Sequence, residues 1–336
     1  MKSKHLNDKS SPDYVVTVGV DDGHYGIKLA IEPGVVRELA GVTFDPNKIV
    51  CVYMASRVAR SQVATRMDGD EQNLYSVERN GRKSDYTVIG DEHVSIKVED
   101  TRSQEFALSD GLLVMVHHAL LRAGLGGRKV RIATGLPYNR YFLARNVKNE
   151  QLISQKSQHL LVNKPTNLNP GVALAQIVEH QVMPEGVAGF HDQLTDDQGN
   201  INDDFYEKIQ LAPIGFLDVG GNTTDVAVIN VGGQTIDDTR SFTMEAGGLH
   251  VEEDVTPLLK EQFKMPAGYE IPRKLLERAV RTGLFRGRGA EHNVENLINP
   301  VRENHAARIS NEISAKWQGA FDLDAVYLIG GGSILL

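Results

Sequence analysis

The sequence is poor in cysteine. Its 336 residues contain one, Cys51. A single cysteine excludes a disulfide within the chain and provides no pair of thiolates at a spacing that would hold a metal ion. Free cysteines in globular proteins usually behave as small buried hydrophobic residues. We therefore predict that Cys51 is a buried thiol on a strand.

Positive charge is scarce relative to negative charge. Lys and Arg total 36 against 44 Asp and Glu, which gives a formal net charge of -8 and an isoelectric point near 5.8. A chain with this balance repels phosphate backbones. The composition therefore does not favour direct, non-specific binding to DNA.

Long apolar runs are missing as well. The sequence contains no run of about 18 apolar residues that would span a bilayer. Its first 13 residues are polar and lack the apolar segment of a secretion signal. We therefore expect a soluble, cytoplasmic protein without membrane contact.

The length and a hydrophobic content of 41% predict two globular domains. We divide the chain into a polar tail (residues 1–13), domain I (14–210) and domain II (211–336). Within domain I, a small polar subdomain is predicted at about 45–105, where charged runs separate short segments typical of antiparallel strands.

Two similar strand–turn–strand units dominate the pattern. In the first, Val15–Val20 leads into the turn Asp21–Gly23, and Ile27–Ile31 forms the returning strand. The second repeats this pattern as Ile214–Val219, the turn Gly220–Thr224 and Asp225–Ile229. The two Asp-x-Gly sequences lie 197 residues apart. Because each is followed by mixed strand and helix of domain length, we predict two facing domains of related topology.

A helix is predicted between the two units. Asp110–Gly124 has helical apolar spacing, with Ser109 as the N-cap candidate and a glycine at its end. Val130–Thr134 is predicted to be the following strand. Adjacent helical residues point about 100° apart, so His117 and His118 cannot share a metal ion, and we expect them to pack or to lie on the surface.

Two segments near the second unit also carry predictions. The acidic stretch Asp192–Glu207 is rich in turn-forming residues, and we predict a loop or an inserted hairpin there, ahead of the domain boundary. Towards the end of the sequence, Ala325–Ile329 is predicted to be a strand that leads into Gly330–Gly332.

The turns have the residue types that bind a nucleotide. Converging backbone amides hold phosphate oxygens, and glycine is needed where φ is positive or the phosphate comes closest. Asp21 and Asp218 end strands, where their carboxylates would hold Mg²⁺ through water. Lys28 can reach the phosphates as a point charge, and Gly330–Gly332 would let adenosine pack on bare backbone. One such turn alone is usually only a hairpin, so the prediction depends on both turns and the glycines occurring together.

These segments resemble the nucleotide-binding motifs of the actin superfamily. Val20–Lys28 resembles its phosphate-1 motif, Leu217–Asp225 its phosphate-2 motif and Leu328–Gly332 its adenosine motif. Within that superfamily the sequence is most similar to the ParM/StbA plasmid-segregation actins. The segments that carry this closer likeness are Val116–Leu121, Val182–Glu185 and Ala246–Leu249.

The resemblance implies an α/β protein with a two-domain actin-like (ribonuclease H-like) fold and a nucleotide cleft between the domains. It implies an ATPase that binds ATP and Mg²⁺ and polymerises head to tail into filaments that separate plasmids. The DNA-side partner would be a separate adaptor protein on a centromere-like site. That arrangement agrees with the acidic charge of this chain.

The resemblance also implies roles for individual residues. Glu185 corresponds to the acid that orients the attacking water, and we expect it to be catalytic together with Asp218. Asp21 and Asp218 would hold the metal through water. The predicted nucleotide contacts are Asp21, Asp22, Gly23, His24, Tyr25, Gly26, Lys28, Gly220, Gly221, Asn222, Thr223, Gly247, Gly248, Gly330, Gly331 and Gly332.

Three features depart from the family pattern. His24–Gly26 stands where the family has small hydroxyl or amide residues, so we expect phosphate contacts there from backbone amides. The stretch between Glu185 and Asp218 is longer than in the family, and its acidic loop is expected to face a neighbouring subunit or a partner. The sequence stops at Leu336, before the helix and the return to domain I that the family has, so we expect that return to be absent.

Two other functions remain open from the sequence. A small-molecule (sugar-type) kinase of the same superfamily would use the same two turns but transfer the phosphoryl group to a bound hydroxyl. A non-polymerising, nucleotide-switched scaffold would bind the nucleotide without assembling. The sequence shows no cluster of polar residues with an aspartate base of the kind that a sugar site needs, and Val182–Glu185 favours water as the nucleophile.

Overall fold

The computed structural model describes residues 8–63, 73–90, 96–196 and 199–335. The strands, in chain order, are β1 (Val15–Asp22), β2 (Gly26–Ile31), β3 (Glu38–Leu39), β4 (Val42–Thr43), β5 (Val50–Ala55), β6 (Val58–Ala59), β7 (Leu74–Arg79), β8 (Arg82–Val88), β9 (Lys129–Leu136), β10 (Thr166–Asn167), β11 (Gln176–Pro184), β12 (Ile214–Val219), β13 (Thr224–Ile229), β14 (Phe242–Met244), β15 (Leu284–Gly287), β16 (Ala290–Asn293) and β17 (Ala325–Ile329).

The α-helices are α1 (Asp110–Arg122), α2 (Tyr138–Tyr141), α3 (Glu150–Val162), α4 (Ala188–Leu194), α5 (Asp203–Leu211), α6 (Gly248–Gln262), α7 (Arg273–Thr282) and α8 (Glu295–Trp317). Short 3-10 turns occur at Phe106–Leu108, Ala144–Asn146 and Gly331–Leu335. Within the part of the chain that the structure describes, no helix combines the length and the apolar character needed to cross a bilayer.

The main sheet of domain I has the order β11-β9-β1-β2-β5. β1 runs antiparallel to β2 and parallel to β9, which in turn runs parallel to β11. Side chains alternate across a strand, so Val16, Val18 and Val20 of β1 are all buried in the core. Because β1, β9 and β11 are parallel, their carboxyl ends meet at one edge, where ligands of such sheets bind.

α1 packs against this sheet and is buried along most of its length. The Ser109 side chain accepts a hydrogen bond from the backbone N–H of Leu112, so it caps the helix as predicted. His117 and His118 are both buried in the helix, and His118 Nδ1 lies 2.9 Å from the hydroxyl oxygen of Tyr75.

A second sheet of domain I has the order β10-β7-β8-β6, with antiparallel neighbours. It corresponds to the short antiparallel strands predicted for the polar subdomain. β5 pairs with β2 in the main sheet, so the small sheet begins with β6. Residues 1–7 of the predicted tail, and residues 64–72 and 91–95 of the predicted subdomain, lie outside the described residues.

The sheet of domain II has the order β14-β13-β12-β17. On one face, side chains of α8 such as Ile313 and Trp317 pack with Val226 and Val228 of β13. On the other face, the apolar side chains of α4 and α5 pack against Phe216. α4 and nearly all of α5 lie before the boundary predicted after residue 210, and their buried faces pack in this core.

The segment Asp192–Glu207 contains the predicted hairpin at its centre, where Thr195 and Ile201 form an antiparallel bridge, but it is helical at both ends, which was not predicted. α4 continues to Leu194, and α5 begins at Asp203. The side chain of Asn202 caps α5 by accepting a hydrogen bond from the backbone N–H of Phe205. Acidic residues in the first turn stabilise a helix through its dipole. The acidic run that resembles a loop is therefore also a helix start.

Cys51 lies on a strand as predicted, but the prediction that it is buried was wrong. On β5, Val50 and Met54 face the core, whereas Cys51 is exposed. Alternation along a strand places neighbouring side chains on opposite faces. The residue type favoured burial, but the position of Cys51 in the strand places it on the exposed face.

Candidate functional site

The three predicted turns lie around one cavity of about 780 Å³. The β1–β2 turn faces it from domain I, and the β12–β13 turn and the glycines after β17 face it from domain II. The predicted site residues that line the cavity are Asp21, Asp22, Gly23, His24, Tyr25, Gly26, Lys28, Glu185, Asp218, Gly220, Gly221, Thr223, Gly248, Gly330, Gly331 and Gly332. Asn222 and Gly247 do not line the cavity; Gly247 packs on the second turn, where a Cβ would collide with the Gly221 carbonyl.

The first hairpin pairs opposite charges. Asp21 of β1 is the direct cross-strand partner of Lys28 of β2. Lys28 Nζ donates to Asp21 Oδ2 at 2.6 Å, and both side chains are about half exposed. The exposed half of the Lys28 side chain leaves its ammonium group accessible to an anion in the cavity.

The other side chains of the first turn contact protein groups. The Asp22 carboxylate forms a buried ion pair with Lys156. His24 Nδ1 hydrogen-bonds the carbonyl oxygen of Thr101. The guanidinium of Arg273, from domain II, stacks 3.6 Å from the ring centroid of Tyr25. The backbone of this turn, rather than these side chains, is therefore what the first hairpin offers to a ligand.

The second hairpin pairs like charges. Asp218 of β12 is the direct cross-strand partner of Asp225 of β13. Asp225 Oδ1 accepts hydrogen bonds from the backbone N–H of Tyr138 and the hydroxyl of Thr243, each at 2.6 Å. Burial, then Asp225 and then Asp21, raises the pKa of Asp218 to about 7, against the opposing effect of Lys28. The second hairpin therefore places two carboxyl groups opposite each other, with no cation in the pair.

Glu185 lies between the two hairpins. It directly follows β11, and its backbone N–H donates to the Leu136 carbonyl at 2.8 Å. α4 begins at Ala188 without a side-chain cap, so Glu185 is not a helix cap. Burial raises the pKa of Glu185 well above its usual range, and the neighbouring carboxylate of Asp225 adds to this effect. Lys156 opposes the shift.

The glycines after β17 shape the third side of the cavity. Gly330 has a φ of +83°, and a Cβ there would collide with Asp218 Oδ1. A Cβ on Gly332 would lie 2.6 Å from the Gly220 carbonyl oxygen. At Gly331, by contrast, a Cβ would meet nothing within 4 Å. This turn is therefore packed onto the second hairpin at both ends and open to the cavity in the middle.

The charges around the turns fit a divalent cation. The carboxylates of Asp21, Asp22, Glu185, Asp218 and Asp225 line this part of the cavity, together with the cations Lys28, Arg140 and Lys156. Two negative charges are therefore in excess when all groups are ionised. Among the described residues, no group of three or more His, Cys, Asp or Glu side chains is placed to hold a metal directly. This donor set suits Mg²⁺, which keeps several water ligands and binds with phosphates.

Several cavity residues were missed at the sequence level. They are Asp225, Arg140, Lys156, Glu277 and Arg281. Asp225 had a detectable signal, because it follows Asp218 by the same seven residues that separate Lys28 from Asp21. The other four come from helices α2, α3 and α7, and only the tertiary fold brings them to the cavity.

Comparison with known families assigns most of the chain. The sequence family described as "Plasmid segregation protein ParM, N-terminal" matches residues 16–195. The chain belongs to the ParM family. Residues 216–336 match a second description, "Archaeal actin homologue MreB-like, C-terminal". Among curated protein sequences, none matches the chain significantly.

Solved structures of ParM proteins and of an archaeal actin homologue share the fold. The archaeal actin homologue Ta0583 is 18% identical, with a TM-score of 0.66 over 95% of this chain and 88% of that protein. ParM in the 15-stranded filament from Clostridium botulinum is 17% identical, with a TM-score of 0.66 over 95% and 89%. Bacillus thuringiensis ParM with AMPPNP is 15% identical, with a TM-score of 0.62 over 96% and 88%. The chain therefore has the two-domain actin-like fold that its motifs predicted.

Proposed function

We propose that this protein binds ATP with Mg²⁺ in the cleft, hydrolyses it, and polymerises into cytoplasmic filaments that segregate plasmid DNA. The observation that carries the proposal is the convergence of the two hairpin turns and Glu185 on one cavity. The cavity volume of about 780 Å³ lies within the range of small-molecule sites. Membership of the ParM family supports the biological role.

The triphosphate would lie between the two hairpin turns, held by backbone amides from both domains and by Lys28. Adenosine would lie over Gly331, the open position of the third turn, with Glu277 and Arg281 at the same cavity. Two similar folds support nucleotide binding, since Ta0583 has been solved with ADP and Bacillus thuringiensis ParM with ATP.

Asp21 and Asp218 would hold Mg²⁺ through its water ligands. A bound Mg²⁺ would neutralise charge on the phosphates and on the second hairpin. The raised pKa of Asp218, about 7 in the protein alone, is the observation that supports this role. An aspartate that resists ionisation near neutral pH gains most from a nearby cation.

Glu185 would orient the water that attacks the terminal phosphate. Phosphoryl transfer depends mainly on positioning and charge stabilisation, so a carboxylate that accepts a hydrogen bond from water is sufficient for this role. The ionised form of Glu185 is the stronger hydrogen-bond acceptor for that water. The cations Lys156, Arg140 and Lys28 all favour the ionised form of Glu185.

Polymerisation would be head to tail, with DNA contacted through a separate adaptor protein. The net charge of -8 supports an adaptor, because an acidic chain gains little from releasing counterions of DNA. ParM from Clostridium botulinum forms a filament, and its fold is similar to this one. We expect the purified protein alone not to retard DNA in a gel at physiological salt, and a salt-sensitive shift without an adaptor would contradict this.

Light scattering and phosphate release on one sample test the proposal. ATP with Mg²⁺ should raise scattering and release phosphate, whereas ATP with EDTA should do neither. Gly331→Leu should abolish both, because a Cβ there meets no protein atom within 4 Å and the side chain would extend into the proposed adenosine position. Gly268→Leu is the matched control, since a Cβ there also meets nothing within 4 Å. Phosphorylation of an added sugar without scattering would instead support a kinase.

A further inference from the structure

Lys156 of α3 is a buried cation at the edge of the candidate site. Its side chain is 3% exposed, although most of α3 is polar and faces solvent. A lysine is almost never fully buried unless it is paired. Lys156 Nζ lies 2.7 Å from Asp22 Oδ2, whose side chain is 4% exposed, and it also donates to the Gly135 carbonyl oxygen.

The two partners of Lys156 connect it to Glu185. Gly135 lies on β9 directly beneath the glutamate, and a Cβ on Gly135 would come within 2.7 Å of Glu185 Cγ. The next residue, Leu136, accepts the backbone hydrogen bond of Glu185. Asp22 ends β1 and begins the first turn. The Lys156 ammonium group therefore links helix α3 to Asp22 of the first turn and to the Gly135 carbonyl group, which lies next to Glu185.

We propose that Lys156 is a positioning residue for Glu185, one that fixes the strand end on which the glutamate rests and supplies the buried positive charge beside it. This inference rests on the proposed ATPase function of the site. A purely structural ion pair is the competing explanation. Under that explanation, removal of either partner has the same consequences.

Charged groups from several elements surround Glu185 and influence its pKa. Negative groups are Asp225 from β13 and Asp21 and Asp22 from β1. Positive groups are Lys156 from α3, Arg140 from α2 and Lys28 from β2. His180 from β11 lies near Lys156 and Asp22, and burial lowers its pKa to about 4, so it stays neutral at physiological pH. The Lys156 side chain is buried, whereas the Lys28 side chain is half exposed.

The matched pair Lys156→Met and Asp22→Asn separates the two explanations. Both variants break the same ion pair, but only the first removes positive charge beside Glu185. The titration of Glu185 is followed by carboxyl ¹³C NMR, with its signal assigned by its loss in Glu185→Gln. We expect the midpoint to rise in Lys156→Met and not to rise in Asp22→Asn. An unchanged midpoint in Lys156→Met, or an equal rise in both, would overturn the inference.

The double variant Lys156→Met/Asp22→Asn guards against misfolding, because it leaves no unpaired charge in the interior. We expect turnover to fall at least about tenfold further than ATP affinity does, the pattern of a lost transition-state interaction. Turnover within twofold of wild type would contradict a positioning role. A wild-type protein without ATP hydrolysis but with the expected NMR shifts would overturn the proposed function and still support the placement of Lys156.

Discussion

The two hairpins share one backbone pattern and differ in charge. In domain I, Asp21 faces Lys28 across the strands, while in domain II Asp218 faces Asp225. The first pair is neutral and half exposed. The second is acidic and more deeply placed, and the pKa of Asp218 is raised to about 7 as a result of burial and of Asp225. The backbone pattern is therefore repeated, whereas the pair of like charges occurs in the second hairpin.

Glu185 is the group on which both hairpins act, so its removal should have the largest effect. Glu185→Gln should slow ATP turnover by roughly 10² to 10⁴-fold, the range for a positioned acid–base or water-orienting group. Calorimetry should show ATP affinity close to that of wild type. If the protein assembles, its filaments should also persist longer. Turnover within twofold of wild type would remove Glu185 from the catalytic machinery.

The charge difference between the hairpins predicts unequal metal dependence. Asp218→Asn should weaken Mg²⁺-dependent ATP binding by roughly 10 to 100-fold, as expected for residues that orient a metal through its ligands. Asp21→Asn should cost less, because its loss also frees Lys28 for the phosphates. Titration calorimetry with and without Mg²⁺ measures both. Equal losses in the two variants would show that the hairpins are electrostatically equivalent.

Asp225 is the residue that makes the second hairpin different, so Asp225→Asn should make it more like the first. Removal of the like charge lowers the pKa of Asp218. Mg²⁺-ATP binding, which we expect to strengthen as pH rises through about 7, should then strengthen at a pH roughly one unit lower. The asparagine oxygen can still accept the hydrogen bonds from Tyr138 and Thr243. A pH profile that does not move would show that Asp225 has no influence on Asp218.

Stability of the nucleotide-free protein should show the smallest of these effects. The pKa values of Glu185, Asp218 and Asp225 are raised in the folded protein. The stability that these groups contribute is therefore present below their ordinary pKa values near 4 and is lost as pH rises through their raised values, which for Asp218 is about 7. The melting temperature should fall across this window by roughly 2 to 4 °C per kcal/mol lost. In Asp218→Asn the melting temperature should change less with pH. A pH dependence as steep as that of wild type would contradict the prediction.

Local sequence was sufficient to predict both hairpins, the α1 cap at Ser109 and the three turns. Strand alternation and turn chemistry depend on neighbouring residues, so short segments contain that information. The partner of Asp218 was also detectable, because cross-strand register follows from the turn length. The motif glycines do not mark this position, because they indicate the turn and not the residue opposite the aspartate.

The remaining features depend on tertiary packing. Lys156 lies on a helix with a mostly polar sequence, and nothing near it in the chain marks it as buried. In sequence, α4 and α5 resemble an acidic loop, while their few apolar residues, such as Phe205 and Ile209, pack in the domain II core. Neither feature follows from local sequence.

The exposed Cys51 has a practical consequence. It lines the wall of the cleft, and the sequence contains no second thiol. A maleimide fluorophore would therefore attach at one defined position without any engineered cysteine. Its emission would report on solvent exposure at the cleft wall, so nucleotide entry and domain movement become observable in real time on otherwise native protein.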